Sequence, residues 1–472
     1  MNKEEICFLS AYDMLEKIKT QELTSTEITE TIIERVEKIN PIINAYCTTT
    51  FDLARDMAKN ADDAVKKGEK LGLLHGIPTS IKDLMLTKGI RTTFGCKIYE
   101  NFIPEVDEVV VKRLKNEGMV LIGKTNTPTF GYWTITDNFI FGPTKNPWDL
   151  TRNSGGSSGG AAAQVSAGLG PLSLGSDGGG SIRVPSSFCG IFGLKPTFGR
   201  IPRYPIHDVA WVTMDHYGPM VRNVKDAALM LDAMAGVDLA DKYSLTKPSY
   251  KYLDIVEDRP TKLKIGYSLN LGFIKAIDEE VEKNFLQAVS KFESLGWEVE
   301  EAKIKIKKQF KAHSTLVTAG YAYDLKRYLK EWRDKLEVDF LRMVDAGFGY
   351  SAVDLKLAED LREKVHDTVH QYFKNYDLLL TPATGVTALK LGERFPAKIR
   401  GKSVTPTEWF SFLTPFNLTG HPAASIPCGW TEDGLPVGLQ IIGKRLDEAT
   451  VLQASKAFED IAPWQDKKPQ FN

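Results

Sequence analysis

The amino-acid sequence predicts an α/β fold, a sheet covered by helices on both faces. Two observations carry that expectation. From Leu73 onward, short apolar segments entered through Gly or Pro alternate with helical periodicity, the pattern of strands and their covering helices. The composition, 42% apolar and 26% charged, is that of an ordinary soluble globular chain. At 472 residues the chain exceeds the usual domain of about 100–200, yet large α/β enzymes run this long as one unit.

The first 65 residues read as a helical layer. Thr24 and Glu27 form a capping-box pattern, and Ile28, Ile32, Val36 and Ile39 follow at helical spacing up to a stop at Asn40-Pro41. A second helix is expected over 51–65, with Leu53, Met57 and Ala61 on one face. Residues 73–85 then hold a short apolar strand that carries Lys82. A helix (106–118), a strand (119–123) and a loop (124–133) follow, and a Gly- and Ser-rich stretch spans 153–193. Further on, a helix is expected over 223–235 and an exposed crossing over 238–262. Strands at 263–269 and 297–304 flank a helix at 279–295, and a charged helical region spans 310–376. A buried strand (376–384), a loop (385–405), a hairpin (423–430 with 437–443, turning at Glu432-Asp433-Gly434) and a closing helix (449–460) end the chain.

Bulk properties exclude several classes of function. Lys and Arg number 60 against 61 Asp and Glu, a net charge of −1, so neither nucleic acid nor an anionic membrane is indicated as the main partner. Five scattered cysteines, with no CxxC pair, argue against a disulfide framework or a zinc site and for a reducing compartment. The first residues lack a signal-peptide core, and no window reaches 18 continuous apolar residues. A cytoplasmic protein is expected.

The stretch from Asn153 to Gly193 is the candidate reaction site. It is dense in Gly and Ser, at a cost of about 0.5–1 kcal/mol per interior Gly relative to Ala, yet apolar runs embedded in it mark it as packed rather than as a linker. Residues 155–159 (GGSSG) match the GxSxG elbow of α/β-hydrolases, but the preceding residues are loop-like and the required late His would be His421, in a Gly-His-Pro turn. Ser181 offers a better nucleophile. Gly178, Gly179 and Gly180 run into it, so backbone N–H groups converge without Cβ obstruction. Losing one such oxyanion donor typically costs about 2.7–4 kcal/mol. No His is near in sequence, and the candidate base is Lys82. Its reference pKa of about 10.4 makes it a base only if burial lowers that value. Two other patterns carry little. Residues 118–125 (GMVLIGKT) satisfy the P-loop expression, but Met119 to Ile122 read as a strand, not a phosphate loop. His366 and His370 lie four apart on a helix without the Glu of an HExxH motif.

Together these residues resemble the amidase signature family. The matches are HGIPTSIKDL (75–84), GKTNTPTFG (123–131), NPWDLTRNSGGSSGGAAA (146–163), GSDGGGSIRVPSSFCGIFGLKPTFGR (175–200) and PFNLTGHPAASIPCG (415–429). The likeness runs from about residue 10 to 465. It implies one amidase domain over 1–472 with a mixed central sheet: a helical layer at about 1–65, the signature core at about 66–235, a variable helical region at about 240–375 and C-terminal strands and helix at about 376–465. It further implies a Ser–cisSer–Lys triad of Ser181 (nucleophile), Ser157 (bridging serine, after a cis Gly156–Ser157 peptide) and Lys82 (base). The oxyanion donors would be the N–H groups of Gly178, Gly179, Gly180 and Ser181. Ser158 is expected to hydrogen-bond Lys82, and Asp177 to pair with Arg183 in bracing the loop. Gly131, Tyr132 and Trp133, with Phe130 beside them, are expected at the substrate.

The resemblance implies a small-molecule amide as substrate, with no cofactor and no metal, and carries the family's frequent homodimer as an expectation. Two departures bear on the substrate. The tRNA-dependent amidotransferase subunits typically read SDTGGSIRQP, whereas Gly178 and Val184 stand here in place of Thr and Gln. The chain also ends soon after the family core, and it lacks the N-terminal membrane helix that fatty-amide hydrolases can carry. A stand-alone amidase is therefore expected, like the bacterial-type amidases that include 6-aminohexanoate-cyclic-dimer hydrolases and aryl acylamidases, acting on an apolar linear or cyclic amide. The alternatives are a serine esterase and a glutaminase-type subunit of an amidotransferase.

Overall fold

A computed structural model describes residues 1–471 of the chain. Its centre is a mixed sheet that has eleven strands among the described residues. In spatial order these are Tyr46–Thr49, Val120–Thr125, Pro78–Lys82, Leu172–Asp177, His216–Val221, Phe192–Lys195, Ala423–Trp430, Pro436–Gly443, Leu378–Pro382, Lys264–Tyr267 and Glu298–Glu301. The strands Val120–Thr125, Pro78–Lys82 and Leu172–Asp177 run parallel, so their carboxyl ends (Thr125, Lys82 and Asp177) meet at one edge of the sheet. In α/β sheets that edge is where ligands bind. The middle of the sheet is antiparallel, and parallel pairing returns at the far end.

The helices cover the sheet as the periodicity requires. The helix Ser25–Ile43 is capped by the Thr24 hydroxyl, which accepts from Glu27 N at 3.0 Å, and it buries Ile28, Ile32, Val36 and Ile39. It runs through Pro41 and stops at Asn44, which adopts the left-handed conformation. The expected stop thus falls three residues early. Between it and the helix Phe51–Lys66 lies an edge strand, Tyr46–Thr49, where an unbroken helical layer was expected. The region beyond 309 resolves into Gln309–Leu325, Leu329–Trp332, Val338–Gly347 and Ala352–Tyr372. These build a second apolar core containing Tyr321, Phe340, Val365 and Trp409, beside the main core under the sheet. The C-terminal hairpin and the closing helix Glu448–Ile461 fall where expected. No helix among the described residues is long and apolar enough to cross a membrane.

Candidate active site

Two turns and one strand end build the site. The strand Pro78–Lys82 is buried throughout and ends on Lys82, whose side chain is fully enclosed. Its Nζ lies 2.7 Å from Ser157 Oγ and 3.0 Å from Ser176 Oγ. Burial lowers the pKa of this ammonium to about 7, against the opposing charges of Asp215 and Asp177. Ser157 lies in the turn before the helix Gly159–Ser166, and the Gly156–Ser157 peptide is cis. Ser157, Ser176, Gly178 and Ser181 line one small cavity, together with Leu84, Phe130, Gly131 and Asp215.

The strand Leu172–Asp177 delivers the second turn. Asp177 ends the strand and is wholly buried against Arg183, with Nη2 to Oδ1 at 2.8 Å and Nε to Oδ2 at 2.9 Å. Burial alone would raise the carboxyl, but the Arg183 guanidinium and Asn417 outweigh it and hold it well below the usual range. The same carboxylate accepts from Gly180 N (2.7 Å) and Ile182 N (3.1 Å), so it is the hub about which the turn folds. Arg183 continues outward to Gln440 Oε1 (2.6 Å) and Asn417 Oδ1 (2.6 Å), tying the turn to the C-terminal part of the chain.

Several expected roles change. Because Gly180 N–H is spent on Asp177, the N–H groups free of an intramolecular acceptor among the described residues are those of Gly178, Gly179 and Ser181. Ser158 does not reach Lys82. Its Oγ donates to Ser176 O at 3.1 Å, and the hydroxyl beside Lys82 is that of Ser176. Of the expected substrate contacts, Gly131 lines the Ser157 cavity and Phe130 joins it. Tyr132 and Trp133 face away and line a separate cavity with Arg394, because the chain turns through positive φ at Phe130 and Gly131 and lays Tyr132 on Phe340. His421 is buried, with Nδ1 on Thr419 Oγ1 at 2.8 Å and its ring stacked on Phe373, away from the Ser157 cavity. The residues matching the P-loop expression contain the buried strand Val120–Thr125.

Ser176, Asp215, Asn417, Trp211 and His313 are site residues that the sequence reading passed over. Ser176 carried a signal, since it sits directly before Asp177 in a quoted motif. Asn417 lay in the quoted 415–429 motif with no role drawn from it, and Asp215, Trp211 and His313 arrive from distant segments and carried none. Asp215 lines the cavity 3.3 Å from Arg203; burial raises its carboxyl to about 6, with Arg203 opposing. Trp211 explains the glycine at 178: a Cβ there would stand 2.4 Å from the indole ring.

A larger cavity of about 380 Å³ adjoins the first, sharing Leu84, Phe130, His207 and Asp208 with it. Its walls include Phe94, Tyr99, Phe102, Tyr321 and Tyr328.

Comparison with known proteins agrees with this architecture. The family model described as Amidase matches residues 27–452. An acylamidase of Rhodococcus erythropolis is 39% identical, covering 99% of this chain and 98% of its own length. A glutamyl-tRNA(Gln) amidotransferase subunit from Carboxydothermus hydrogenoformans is also 39% identical, covering 99% of this chain and 100% of its own. The crystal structure of a bacterial aryl acylamidase of the amidase signature family superposes with a TM-score of 0.91 at 30% identity, covering 97% of each chain.

Proposed function

The chain belongs to the amidase family and is an amide-hydrolysing enzyme, and from that premise we propose that it cleaves a carboxylic amide through an acyl-enzyme on Ser181, with Ser157 and Lys82 moving the protons. The observation that carries this reading is the enclosed Lys82 Nζ at 2.7 Å from Ser157 Oγ, beside a cavity that Ser181 also lines. A lysine whose pKa burial has brought to about 7 is substantially neutral at physiological pH and can accept a proton.

Neutral Lys82 takes the Ser157 proton while Ser157 takes that of Ser181. The Ser181 oxygen bonds to the substrate carbonyl carbon, and the carbonyl π pair moves to oxygen, where the free N–H groups of Gly178, Gly179 and Ser181 receive it. The C–N bond then breaks, the amine nitrogen takes a proton from Ser157, and Lys82 restores it. Water repeats the sequence on the acyl-enzyme, which releases the carboxylic acid and regenerates Ser181. The aromatic walls of the 380 Å³ cavity favour an apolar or aromatic substituent on the amide.

A second reading, as a glutaminase-type amidotransferase subunit, draws on the 39% identity to one such protein. Trp211 weighs against it: with its ring against Gly178, the Thr typical of those subunits does not fit. The test of both is a panel of simple amides offered to the purified chain alone, with Ser181→Ala as control. Hydrolysis and fluorophosphonate labelling that Ser181→Ala abolishes support the first reading. Full turnover by Ser181→Ala removes it, and activity seen only with partner chains favours the second.

A further inference from the structure

We infer that His313 is a positioning residue that aims the middle oxyanion donor, Gly179 N–H, into the cavity. This inference rests on the oxyanion role given above to the turn after Asp177.

In a planar trans peptide the C=O of one residue and the N–H of the next point in opposite directions. Fixing a carbonyl therefore aims the following N–H. Each of the three free N–H groups of the turn follows a carbonyl that is held. The Asp177 carbonyl accepts from Asn417 Nδ2 at 2.7 Å and so sets the direction of Gly178 N–H. The Gly180 carbonyl accepts from Val184 N at 2.8 Å, in the first turn of the following helix, and so sets Ser181 N–H. The Gly178 carbonyl is 3.0 Å from His313 Nε2 and sets Gly179 N–H. A carbonyl oxygen only accepts, so Nε2 carries the proton and the tautomer is fixed. Burial pushes the imidazole below its ordinary pKa, which keeps the ring neutral.

Both flanking rings approach the glycine backbone closely. The His313 Nε2 atom would stand 3.0 Å from a Cβ at Gly179, and the Trp211 indole 2.4 Å from one at Gly178, so both glycines are needed for the rings to reach the backbone. The Trp211 and His313 rings pack together at 5.8 Å. Trp211 Nε1 donates to Tyr321 Oη at 2.6 Å, and Tyr321 Oη donates to Phe130 O at 2.8 Å. His313 and Tyr321 lie on one helix, Gln309–Leu325, two turns apart. That helix thus touches the turn that receives the oxyanion through His313 and the wall of the aromatic cavity through Tyr321.

The experiment compares His313→Leu and His313→Gln with the wild type and Ser181→Ala. Gln places an amide N–H near the position of Nε2, whereas Leu fills the space without a donor. The expected result is a fall of about 10²-fold in kcat for His313→Leu with KM little changed, and substantial recovery in His313→Gln. Inhibition by a trifluoromethyl ketone, whose adduct carries the oxyanion, should weaken by a similar factor. Wild-type kcat in His313→Leu overturns the inference. So does a loss that tracks KM or the thermal midpoint and is not recovered by Gln. If Ser181→Ala also stays active, the acyl-enzyme reading falls as well; if Ser181→Ala is dead while His313→Leu is fully active, the positioning role alone fails.

Discussion

Lys82 and Lys124 stand on adjacent parallel strands, in register with Thr125 and Ile81 respectively, and both ammonium groups are fully buried. Their surroundings differ in kind. Lys124 Nζ donates to Met85 O at 2.6 Å, Thr92 Oγ1 at 2.9 Å and Thr87 Oγ1 at 3.2 Å, and Asp83 Oδ1 is 3.6 Å away. Three acceptors use all three protons of an ammonium, and the carboxylate opposes the lowering that burial imposes. Lys82 meets two serine hydroxyls instead. A hydroxyl donates as readily as it accepts, so this setting tolerates the amine with or without its proton. Burial turns a lysine into a usable base only where the neighbours let it go neutral. The Lys124 site holds a charge, and the Lys82 site suits proton transfer.

The most forceful way to break this contrast is to remove each amine in turn. Lys82→Met keeps the length and apolar stem of the side chain. If Lys82 is the base, its loss should lower kcat/KM by about 10²–10⁴-fold. The thermal midpoint should hold or rise, because an amine that burial disfavours is gone. A variant with wild-type turnover would show that Lys82 is a structural lysine after all.

Lys124→Met should do the reverse. It leaves Asp83 buried without its counter-charge and Met85 O, Thr87 and Thr92 short of a donor, a loss of about 3–5 kcal/mol measurable by urea unfolding. Turnover per folded molecule should stay at the wild-type value, and adding Asp83→Asn should recover part of the stability by removing the orphaned charge. Unchanged stability with lost turnover would invert the comparison.

The sequence made one of these lysines legible and assigned the other no role, placing it at the start of a loop where the structure has the end of the strand Val120–Thr125. Lys82 could be singled out because an Ile-Lys pair at a strand end completed a motif with two Gly-Ser clusters. Lys124 followed a glycine in a P-loop expression, and its actual acceptors, the 85–92 loop, are set by tertiary packing. The same division holds across the molecule. Strands and helices with clear periodicity, such as Glu279–Ser294 and the hairpin from Ala423 to Gly443, were readable because the pattern is local. The edge strand Tyr46–Thr49 was not, since it has four residues and gains its identity from pairing with Val120–Thr125. In the site, the glycines around Ser181 announced a backbone binding site, but which N–H groups stay free depends on the Asp177 carboxylate capturing that of Gly180. Tyr132 and Trp133 looked like a pocket wall until the turn at Phe130 and Gly131 carried them to the other side.

The smallest expected effect sharpens the contrast by titration. If Lys82 must be neutral to act, kcat/KM rises with pH through about 7 and levels off above it, falling about tenfold per unit on the acid side. The sign follows from the group: burial lowers the lysine, so the inactive protonated form dominates only below that value. Asp215, which lines the cavity, opposes this lowering by its negative charge. In Asp215→Asn that opposition is gone, and Arg203, 3.3 Å from the replaced carboxylate, is left with less compensation. Both changes disfavour a second positive charge at Lys82, so the acid limb should move to lower pH and the variant should outperform the wild type there relative to its own plateau. An alkaline shift in the kcat/KM profile would mean that Asp215 acts on Lys82 through position rather than charge. An unmoved limb would mean that the ionisation controlling turnover is not that of Lys82, and the distinction between the two lysines would then rest on packing alone.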